Sequence, residues 1–387
     1  MRLAIRWSAL ALALLFGIGM LPRSAGAAAE PYLIGAVVSE SGPGASLGRP
    51  EADSIQLAVD TINKAGGVNG RPLQVTILDD ESNATTAVNA VRKLLDQHVI
   101  AIFGSSLTQT TLAMVPIVTQ AHIPLISFGS SAQIIQPVAD RHWIFKTPIL
   151  DFHVAETLQE FMKKKGLTKV AVIYRDDDYG KTGLHHFLDA GQKLGFTVVD
   201  SEAIGAAATD ATTQLTKIKG ANPQAVVVWS TLPSVGVVIK AYRELNLPYP
   251  IYFSDGAANG AFPKQAGAAL DGAHIASTKI NVADELPASD PQRAIINKYI
   301  HDFSLAYPKD LPVSIFGGFG YDGVNILAAA LASAKSSDPD KLRDAIEHAS
   351  WDGVTGSFRL SIADHNGLST FSTVITEIVN QHFTIAK

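Results

Sequence analysis

Two clusters of serine hydroxyls follow short apolar segments in the first third of the chain. The clustered serines are Ser105, Ser106, Ser130 and Ser131. The glycines before them, Gly104 and Gly129, are 25 residues apart, the length of one strand and one helix. Parallel neighbouring strands would bring both clusters to one sheet edge, where open α/β sheets bind ligands. Helix N-termini there offer unpaired N–H groups and partial positive charge, so the clusters predict a carboxylate or phosphate site, with simple N-capping as the alternative.

Two further polar residues, Tyr179 and Asp255, stand at predicted strand ends in the second half of the chain. Donors from one half and a single carboxylate from the other suit a zwitterion. We therefore predict that Ser105 and Ser131 bind the carboxylate of an α-amino acid and that Asp255 binds its ammonium. Burying both charges is tolerable only when each is hydrogen-bonded. Helix capping within the segment SDGAAN is the alternative role for Asp255.

Apolar segments of strand length alternate with amphipathic segments of helix length from Tyr32 to about Ser277. This alternation predicts an α/β fold with parallel sheets covered by helices on both faces. A second series begins after residues 147–150, which predicts two lobes joined by a short hinge. Residues 280–312 indicate a return to the first lobe, and the segment GSFRLSIADHNG from residue 356 predicts a late hairpin and another crossing. Lobes joined by several crossings can close like a clamp.

Residues 1–29 are predicted to form a secretory signal peptide. They combine a basic start, an apolar run of 14 residues and three final alanines. The run is shorter than the roughly 20 residues that span a bilayer. No later stretch is expected to be long and apolar enough to span a membrane. The chain has no cysteine, so we expect neither a lipid anchor nor a disulfide, and a soluble protein exported to the periplasm.

Charge excludes some classes of partner. Residues 1–29 carry three arginines and no acid, so the rest of the chain has 28 Lys and Arg against 36 Asp and Glu, a net charge of −8. Nucleic acid and anionic membranes are therefore not expected partners. The remaining 358 residues exceed the usual size of one hydrophobic core, which also favours two lobes.

Motifs that would indicate other chemistry fail on their context. The segment GFGYDG at 318–323 matches the dinucleotide pattern, but it begins a helix late in the chain and is expected to serve helix packing. The acidic run 176–178 has no matching ligand cluster, so no metal is expected. The chain has no cysteine nucleophile, and residues 129–133 break the G-x-S-x-G pattern at their last position. We expect no enzyme and no cofactor.

Five segments together resemble the solute-binding proteins of ABC transporters for leucine, isoleucine and valine, and their broader family. The segments are SGPGASLG at 41–48, DTINKAGGVNGRPL at 60–73, SSLTQ at 105–109, DDDYG at 176–180 and SDG at 254–256. The resemblance covers essentially the whole chain after residue 29. It implies a type I periplasmic clamp, two Rossmann-like lobes joined by three hinge crossings. Lobe I would comprise residues 30–148 and 278–355, and lobe II residues 149–277 and 356–387.

The resemblance also implies roles for individual residues. Ser105 matches the family serine that binds the ligand carboxylate, and Gly129 and Ser131 match the loop that binds the same functional groups. Asp255 stands where the family places an acidic partner for the ammonium, and Tyr179 stands where an aromatic residue closes over the ligand. The predicted ligand-binding residues are Ser105, Ser106, Gly129, Ser130, Ser131, Tyr179 and Asp255.

The predicted pocket wall departs from the branched-chain binders at two positions. Leu47 replaces a usual aromatic residue, and Thr231 stands where a tyrosine is common. The pocket for the ligand side chain is therefore wider unless Phe103 and Trp229 compensate. Tyr321 aligns with a further aromatic residue of the pocket wall.

Two ligand classes stay open. We expect a monomeric receptor that delivers a small hydrophobic amino acid, unchanged, to an inner-membrane ABC permease. The segments at 312–318 and 364–368 also resemble a branch that binds aromatic carboxylates, so an aromatic or other monocarboxylate is the alternative. Asp255 discriminates the two, because a buried carboxylate without a cationic partner repels an anion. A ligand-sensing subunit without transport is a third possibility.

Overall fold

The computed structural model describes residues 29–308 and 311–387. The predicted signal peptide, residues 1–29, lies outside the described residues except for its last position. The described chain is a mixed α/β protein with two large, mainly parallel sheets, which confirms the expected fold class. Each sheet is covered by helices on both of its faces.

Up to residue 277 the strands fall on the predicted apolar segments, whereas the last two strands, which begin at residues 374 and 382, were not predicted. In chain order they are β1 (Tyr32–Val38), β2 (Leu73–Asp79), β3 (Ala101–Gly104), β4 (Leu125–Ser127), β5 (Ile144–Lys146), β6 (Lys169–Arg175), β7 (Thr197–Ile204), β8 (Ala225–Trp229), β9 (Ile251–Phe253), β10 (His274–Ser277), β11 (Ser350–Asp352), β12 (Ser357–Arg359), β13 (Val374–Val379) and β14 (His382–Ile385). Central strands such as β3 and β8 are buried along their whole length, as expected of parallel strands covered on both faces.

The helices connect these strands. They are α1 (Ala45–Lys64), α2 (Ala84–Leu95), α3 (Thr108–Ala121), α4 (Asp151–Lys164), α5 (Asp178–Leu194), α6 (Thr212–Ala221), α7 (Ser234–Glu244), α8 (Phe262–Ala266), α9 (Arg293–Ala306), α10 (Ile315–Ala334) and α11 (Pro339–Glu347). Several begin at side-chain caps, as the Asn83 carboxamide at α2 and the Asp177 carboxylate at α5 illustrate.

The order of the strands places two crevices. The first sheet runs β2-β1-β3-β4-β5, with every pairing parallel. The second runs β14-β13-β10-β9-β8-β6-β7, and only its β13 and β14 pairings are antiparallel. In each sheet the chain order reverses beside its first strand, between β1 and β3 and between β6 and β8. Ligands of open α/β sheets bind outside the carboxyl ends of strands at such points.

Helices α9 and α10 pack on α1, beside the first sheet. Ser54 and Tyr299 share a hydrogen bond of 2.9 Å, and the Tyr307 hydroxyl donates to the Asp53 carbonyl at 2.6 Å. Helix α10 is long and apolar enough to cross a membrane by length and composition, so the expectation that no later stretch qualifies is wrong. Its apolar character has a different cause, because its residues are mostly buried against α1 and the surrounding core.

The predicted hairpin after Gly356 is present, because the Arg359 N–H donates to the Gly367 carbonyl at 2.9 Å and Ser361 pairs with Asp364. Its first strand, β12, also pairs antiparallel with the preceding β11, which the sequence did not predict. The following residues stay beside the first sheet, where the Asn366 carboxamide donates to the carbonyl oxygens of Lys146 at 3.1 Å and Pro148 at 2.8 Å. We therefore propose the predicted lobe boundaries with one change, which moves the last crossing from residue 356 to the stretch between Asn366 and β13.

Candidate functional site

A narrow cleft lies where the carboxyl ends of both sheets face each other. It is lined by Leu47, Ser106, Leu107, Thr108, Gln109, Ser130, Arg175, Asp177, Tyr179, Thr231, Gly256 and Phe316. Its volume is about 20 Å³, close to the space of a single water molecule. A hydrogen bond of 2.7 Å from the Asn259 carboxamide to the Ser46 carbonyl joins the two walls nearby. The cleft is therefore nearly closed, and a ligand of amino-acid size requires the walls to move apart.

The first wall is built at the end of β3, beside β1. Gly104 has a φ of +106°, and a Cβ atom there would lie 1.8 Å from the Val37 carbonyl oxygen, so glycine is required. Ser106 follows, and its Oγ accepts a 2.9 Å hydrogen bond from the Ser39 N–H. The Ser106 Oγ also lies within hydrogen-bond distance of the buried Glu51 carboxyl group. Glycine and serine together thus place one hydroxyl on the wall.

Helix α3 presents its N-terminus to the same wall. The first hydrogen bond of α3 is from the Thr111 N–H to the Leu107 carbonyl at 3.0 Å, so the amides of Thr108 to Thr110 precede it. The Thr108 Oγ1 is buried and has no partner among the described residues. Unpaired donors at a helix N-terminus bind carboxylates and phosphates well.

Ser105 and Ser131, the two serines predicted to bind a carboxylate, lie behind the wall. Ser105 is fully buried, and its Oγ bonds to the Asp80 carboxylate and, at 2.6 Å, to the Thr110 Oγ1. The Ser131 Oγ accepts a 3.2 Å hydrogen bond from the Gln133 N–H, which is the N-capping alternative. Both residues support the wall instead of lining it.

The Gly129–Ser130 loop is held by a hydrogen bond from a lysine side chain. Lys146 is buried, and its Nζ donates to the Ser130 carbonyl and, at 3.4 Å, to the Ile149 carbonyl. Burial lowers the pKa of Lys146 to about 8, although the nearby carboxylates of Asp151 and Asp255 oppose this shift. The Gly129 N–H is occupied by the Ser127 hydroxyl at 3.0 Å. Ser130 is the member of this loop that lines the cleft.

The second wall contains the predicted acidic residue. Asp255 comes shortly after β9 in the sequence, and in space it lies directly behind the lining residues Tyr179 and Gly256. Its Oδ1 accepts a 2.9 Å hydrogen bond from the Tyr179 hydroxyl. The Oδ2 is buried and has no partner among the described residues. Burial raises the pKa of Asp255 to about 6, while the Tyr179 hydrogen bond and the Lys146 charge lower it. Burial also raises the pKa of Tyr179 well above its ordinary value.

Arg175, which the sequence analysis did not select, also lines the second wall. It is the last residue of β6 and is buried, with its Nη1 donating to the Thr231 hydroxyl. Its Nε lies 2.5 Å from the Asp177 Oδ2. The Asp177 Oδ1 meanwhile accepts a 3.1 Å hydrogen bond from the Gly180 N–H at the start of α5. A charged residue ending the apolar strand KVAVIYR was the signal that could have found it.

The five predicted wall residues divide into two groups. Leu47 and Thr231 line the cleft. The other three lie in the core outside the lining: Phe103 stacks on another phenylalanine with ring centroids 6.2 Å apart, Trp229 is fully buried, and Tyr321 packs on a second tyrosine at 4.8 Å. Phe316, within the segment at 312–318 already noted for its resemblance, provides an aromatic surface instead.

The described residues also bear on two other chemistries, a metal site and a nucleophilic serine. Residues 29–308 and 311–387 contain no group of three or more His, Asp or Glu residues placed to hold a metal ion. The segment GASLG at 44–48 has the G-x-S-x-G spacing that the sequence analysis overlooked. Its Ser46 Oγ is buried and has no hydrogen-bond partner in that described part of the chain.

The fold and the cleft together define a two-lobed binding protein of the clamp type. A family model described as "Periplasmic binding protein" matches residues 31–377, and the chain belongs to this family. Among curated relatives, the leucine-, isoleucine-, valine-, threonine- and alanine-binding protein of Pseudomonas aeruginosa is 24% identical over 90% of each chain. The Leu/Ile/Val-binding protein of Escherichia coli K12 is 27% identical over 89% of this chain and 90% of the relative.

Solved structures share the fold. An extracellular ligand-binding receptor from Rhodopseudomonas palustris HaA2 is 29% identical, with a TM-score of 0.86 over 92% of this chain and 99% of that one. The branched-chain amino acid transporter substrate binding protein LivJ from Streptococcus pneumoniae, in complex with isoleucine, is 26% identical, with a TM-score of 0.80 over 92% and 99%. A solute binding protein from R. palustris in complex with benzoate, 23% identical with a TM-score of 0.80 over 92% and 95%, shows the fold alone.

Proposed function

We propose that this protein is a periplasmic receptor that captures a small hydrophobic amino acid of the branched-chain type between its lobes. It then delivers the amino acid unchanged to an inner-membrane ABC permease, and it acts as a monomer. The observation that carries the proposal is the Asp255 Oδ2, a buried carboxylate oxygen without a partner among the described residues. A ligand ammonium is the group that this oxygen suits, because an ion pair compensates the buried charge.

The opposite wall suits the other end of a zwitterion. The Ser106 hydroxyl, the unpartnered Thr108 hydroxyl and the first-turn amides of α3 provide donors for a carboxylate. In an amino acid the two charged groups are attached to one carbon atom, so they bridge the walls only when the walls, after moving apart to admit the ligand, close around it. Ligand binding thus favours the closed arrangement through contacts that the open arrangement lacks.

Apolar lining residues favour a hydrocarbon side chain. Leu47, Leu107 and Phe316 contribute aliphatic and aromatic surface to the cleft. The relatives from Pseudomonas aeruginosa and Escherichia coli, whose names give branched-chain ligands, match about nine-tenths of the chain. The family description, periplasmic binding protein, supports export, and the transporter named for the Streptococcus pneumoniae structure supports delivery to a permease.

A second candidate is the same clamp binding an aromatic or other monocarboxylate. The buried Arg175 guanidinium favours it, because only part of its donor set is used by Thr231 and Asp177. Asp255 opposes it, since its carboxylate has no cation to pair with in such a ligand. Asp255 is therefore the residue that favours an amino acid, and Arg175 is the residue that favours a monocarboxylate.

Thermal unfolding of refolded, ligand-stripped protein tests the proposal. The screen uses leucine, isoleucine, valine and their amine-free analogues, together with benzoate. We expect stabilisation that rises with the concentration of the amino acids, because a ligand that binds the folded state raises its stability by mass action. Stabilisation by the amine-free acids alone would overturn the amino-acid assignment, and isothermal titration then measures affinity. Uptake of the ligand in cells with and without the gene tests delivery to a permease.

A further inference from the structure

A buried acid, Glu51, lies directly behind the Ser106 hydroxyl of the first wall. Glu51 is on α1 and is fully buried. Its Oε2 lies within hydrogen-bond distance of the Ser106 Oγ, and its Oε1 has no partner among the described residues. An ionised carboxylate so placed leaves a buried charge with one oxygen uncompensated, which is costly. A neutral carboxylic acid avoids that cost.

The Ser106 hydroxyl cannot donate a hydrogen bond to Glu51 and to a ligand at the same time. Its Oγ already accepts from the Ser39 N–H at 2.9 Å, and a hydroxyl has one hydrogen to donate and two lone pairs to accept with. If Glu51 is ionised, the Ser106 hydrogen must point to Glu51, and none remains for a ligand. If Glu51 is protonated, its O–H donates to the second lone pair of Ser106, and the serine hydrogen is free.

We propose that Glu51 is a positioning residue that stays neutral and donates to Ser106, so that the Ser106 hydroxyl can donate to the ligand carboxylate. This inference rests on the proposed function in one respect, that Ser106 contacts a carboxylate group. It holds for an amino acid and for a monocarboxylate alike. Binding of the ligand carboxylate is then linked to one proton on Glu51.

The surroundings of Glu51 support the neutral form. Burial raises the pKa of Glu51 well above its usual value, the Ser106 hydrogen bond opposes this, and the charge of Asp80 raises it further. Asp80, after β2, is the charged group that acts on Glu51 from a neighbouring element. Its own oxygens accept hydrogen bonds from the side chain of Ser39 at 2.7 Å and the N–H of Ser82 at 2.8 Å. From α10, Gly320 packs on the Glu51 backbone.

The test compares Glu51→Gln, which keeps a donor without titrating, with Glu51→Met, which has similar length and no donor. Affinities for leucine and benzoate are measured by isothermal titration from pH 6 to pH 9, after circular dichroism confirms folding. We expect Glu51→Gln to bind within about threefold of the wild type and Glu51→Met to lose about tenfold, the size of one hydrogen bond to a charged group. Asp53→Asn, on the same helix, is the matched control and should bind as the wild type does.

The pH arm and an infrared measurement complete the design. Wild-type affinity should fall more steeply toward alkaline pH than that of Glu51→Gln, since only the wild type loses a proton from Glu51, whereas any effect of Lys146, whose pKa is about 8, is common to both. Independently of any ligand, the wild type should show the C=O stretch of a protonated carboxyl group that Glu51→Gln lacks. Glu51→Gln binding as weakly as Glu51→Met, or absence of that band at neutral pH, would overturn the proposal. Failure of leucine to bind would instead count against the proposed function, since benzoate and the infrared band still report on Glu51.

Discussion

The Tyr179 hydroxyl and the Asp255 carboxylate form a hydrogen bond of 2.9 Å that fixes one carboxylate oxygen and leaves the other buried without a partner among the described residues. A phenol hydroxyl has one hydrogen, so Tyr179 can satisfy only one oxygen of Asp255. The uncompensated oxygen lies directly behind the cleft lining. Under the proposed function, a ligand ammonium would pair with this second oxygen.

Replacement of Asp255 by asparagine should weaken leucine binding by roughly a hundredfold. The ammonium would be buried against a neutral amide, and the loss of a charged hydrogen-bond partner costs about 3 kcal/mol. Isothermal titration measures the change. Asp176→Asn removes an equal charge from a side chain that is 56% exposed and should have no measurable effect. Equal affinities of Asp255→Asn and the wild type would refute the ammonium site.

The raised pKa of Asp255 also predicts opposite pH effects on binding and stability. Leucine affinity should fall as the pH drops below about 6, because protonated Asp255 no longer pairs with an ammonium.

The folded pKa of Asp255 is above the ordinary value of 3.8, so the stabilising contribution of Asp255 is present at low pH and is lost as the pH rises to about 6. That loss amounts to roughly 3 kcal/mol. Asp255→Asn should therefore be more stable than the ligand-free wild type at pH 7.5 in urea unfolding, and no difference there would contradict the assignment.

Gly183 and Trp229 test whether the tryptophan belongs to the core or to the pocket. A Cβ atom at Gly183 would lie 2.0 Å from the Trp229 Nε1, so Gly183→Ala should destabilise the fold by about 1–3 kcal/mol through overpacking. The smaller ring of Trp229→Phe should recover part of that loss in the double variant. Thermal unfolding measures both. Leucine affinity should change less than threefold in Trp229→Phe. A larger loss would show that Trp229 belongs to the pocket wall.

The fold was predictable because strand-length apolar segments and amphipathic segments alternate without interruption. Three predicted residues just beyond strand ends, Ser106, Tyr179 and Thr231, line the cleft, whereas Ser105 and Ser131 lie behind it. Phe103 and Trp229 belong to β3 and β8 and lie in the core, because most strand side chains point to the faces of the sheet, under the helices. Arg175, at the end of β6, is a strand residue that lines the cleft.

The internal hydrogen bonds of the site could not be predicted from spacing. Whether Ser105 or Ser106 faces the cleft depends on Asp80, which binds the Ser105 hydroxyl from the end of a strand two positions away in the first sheet. The role of Glu51 likewise depends on contact between α1 and the β3 end, 55 residues apart in sequence. Such contacts arise from packing between elements that are distant in sequence, so the local sequence pattern does not predict them.

Arg175 lines the second wall, and its replacement tests which end of the ligand meets that wall. Arg175→Met leaves the Asp177 carboxylate, now 2.5 Å from the guanidinium, without its cation and makes that wall more negative. We expect benzoate and other amine-free acids to lose at least tenfold in affinity, and leucine less than threefold. Adding Asp177→Asn, which keeps the cap to the Gly180 N–H, should restore part of the lost carboxylate affinity if the effect is electrostatic. If Arg175→Met weakens leucine as much as Asp255→Asn does, the guanidinium binds the leucine carboxylate, and the donors at the start of α3 must have another role.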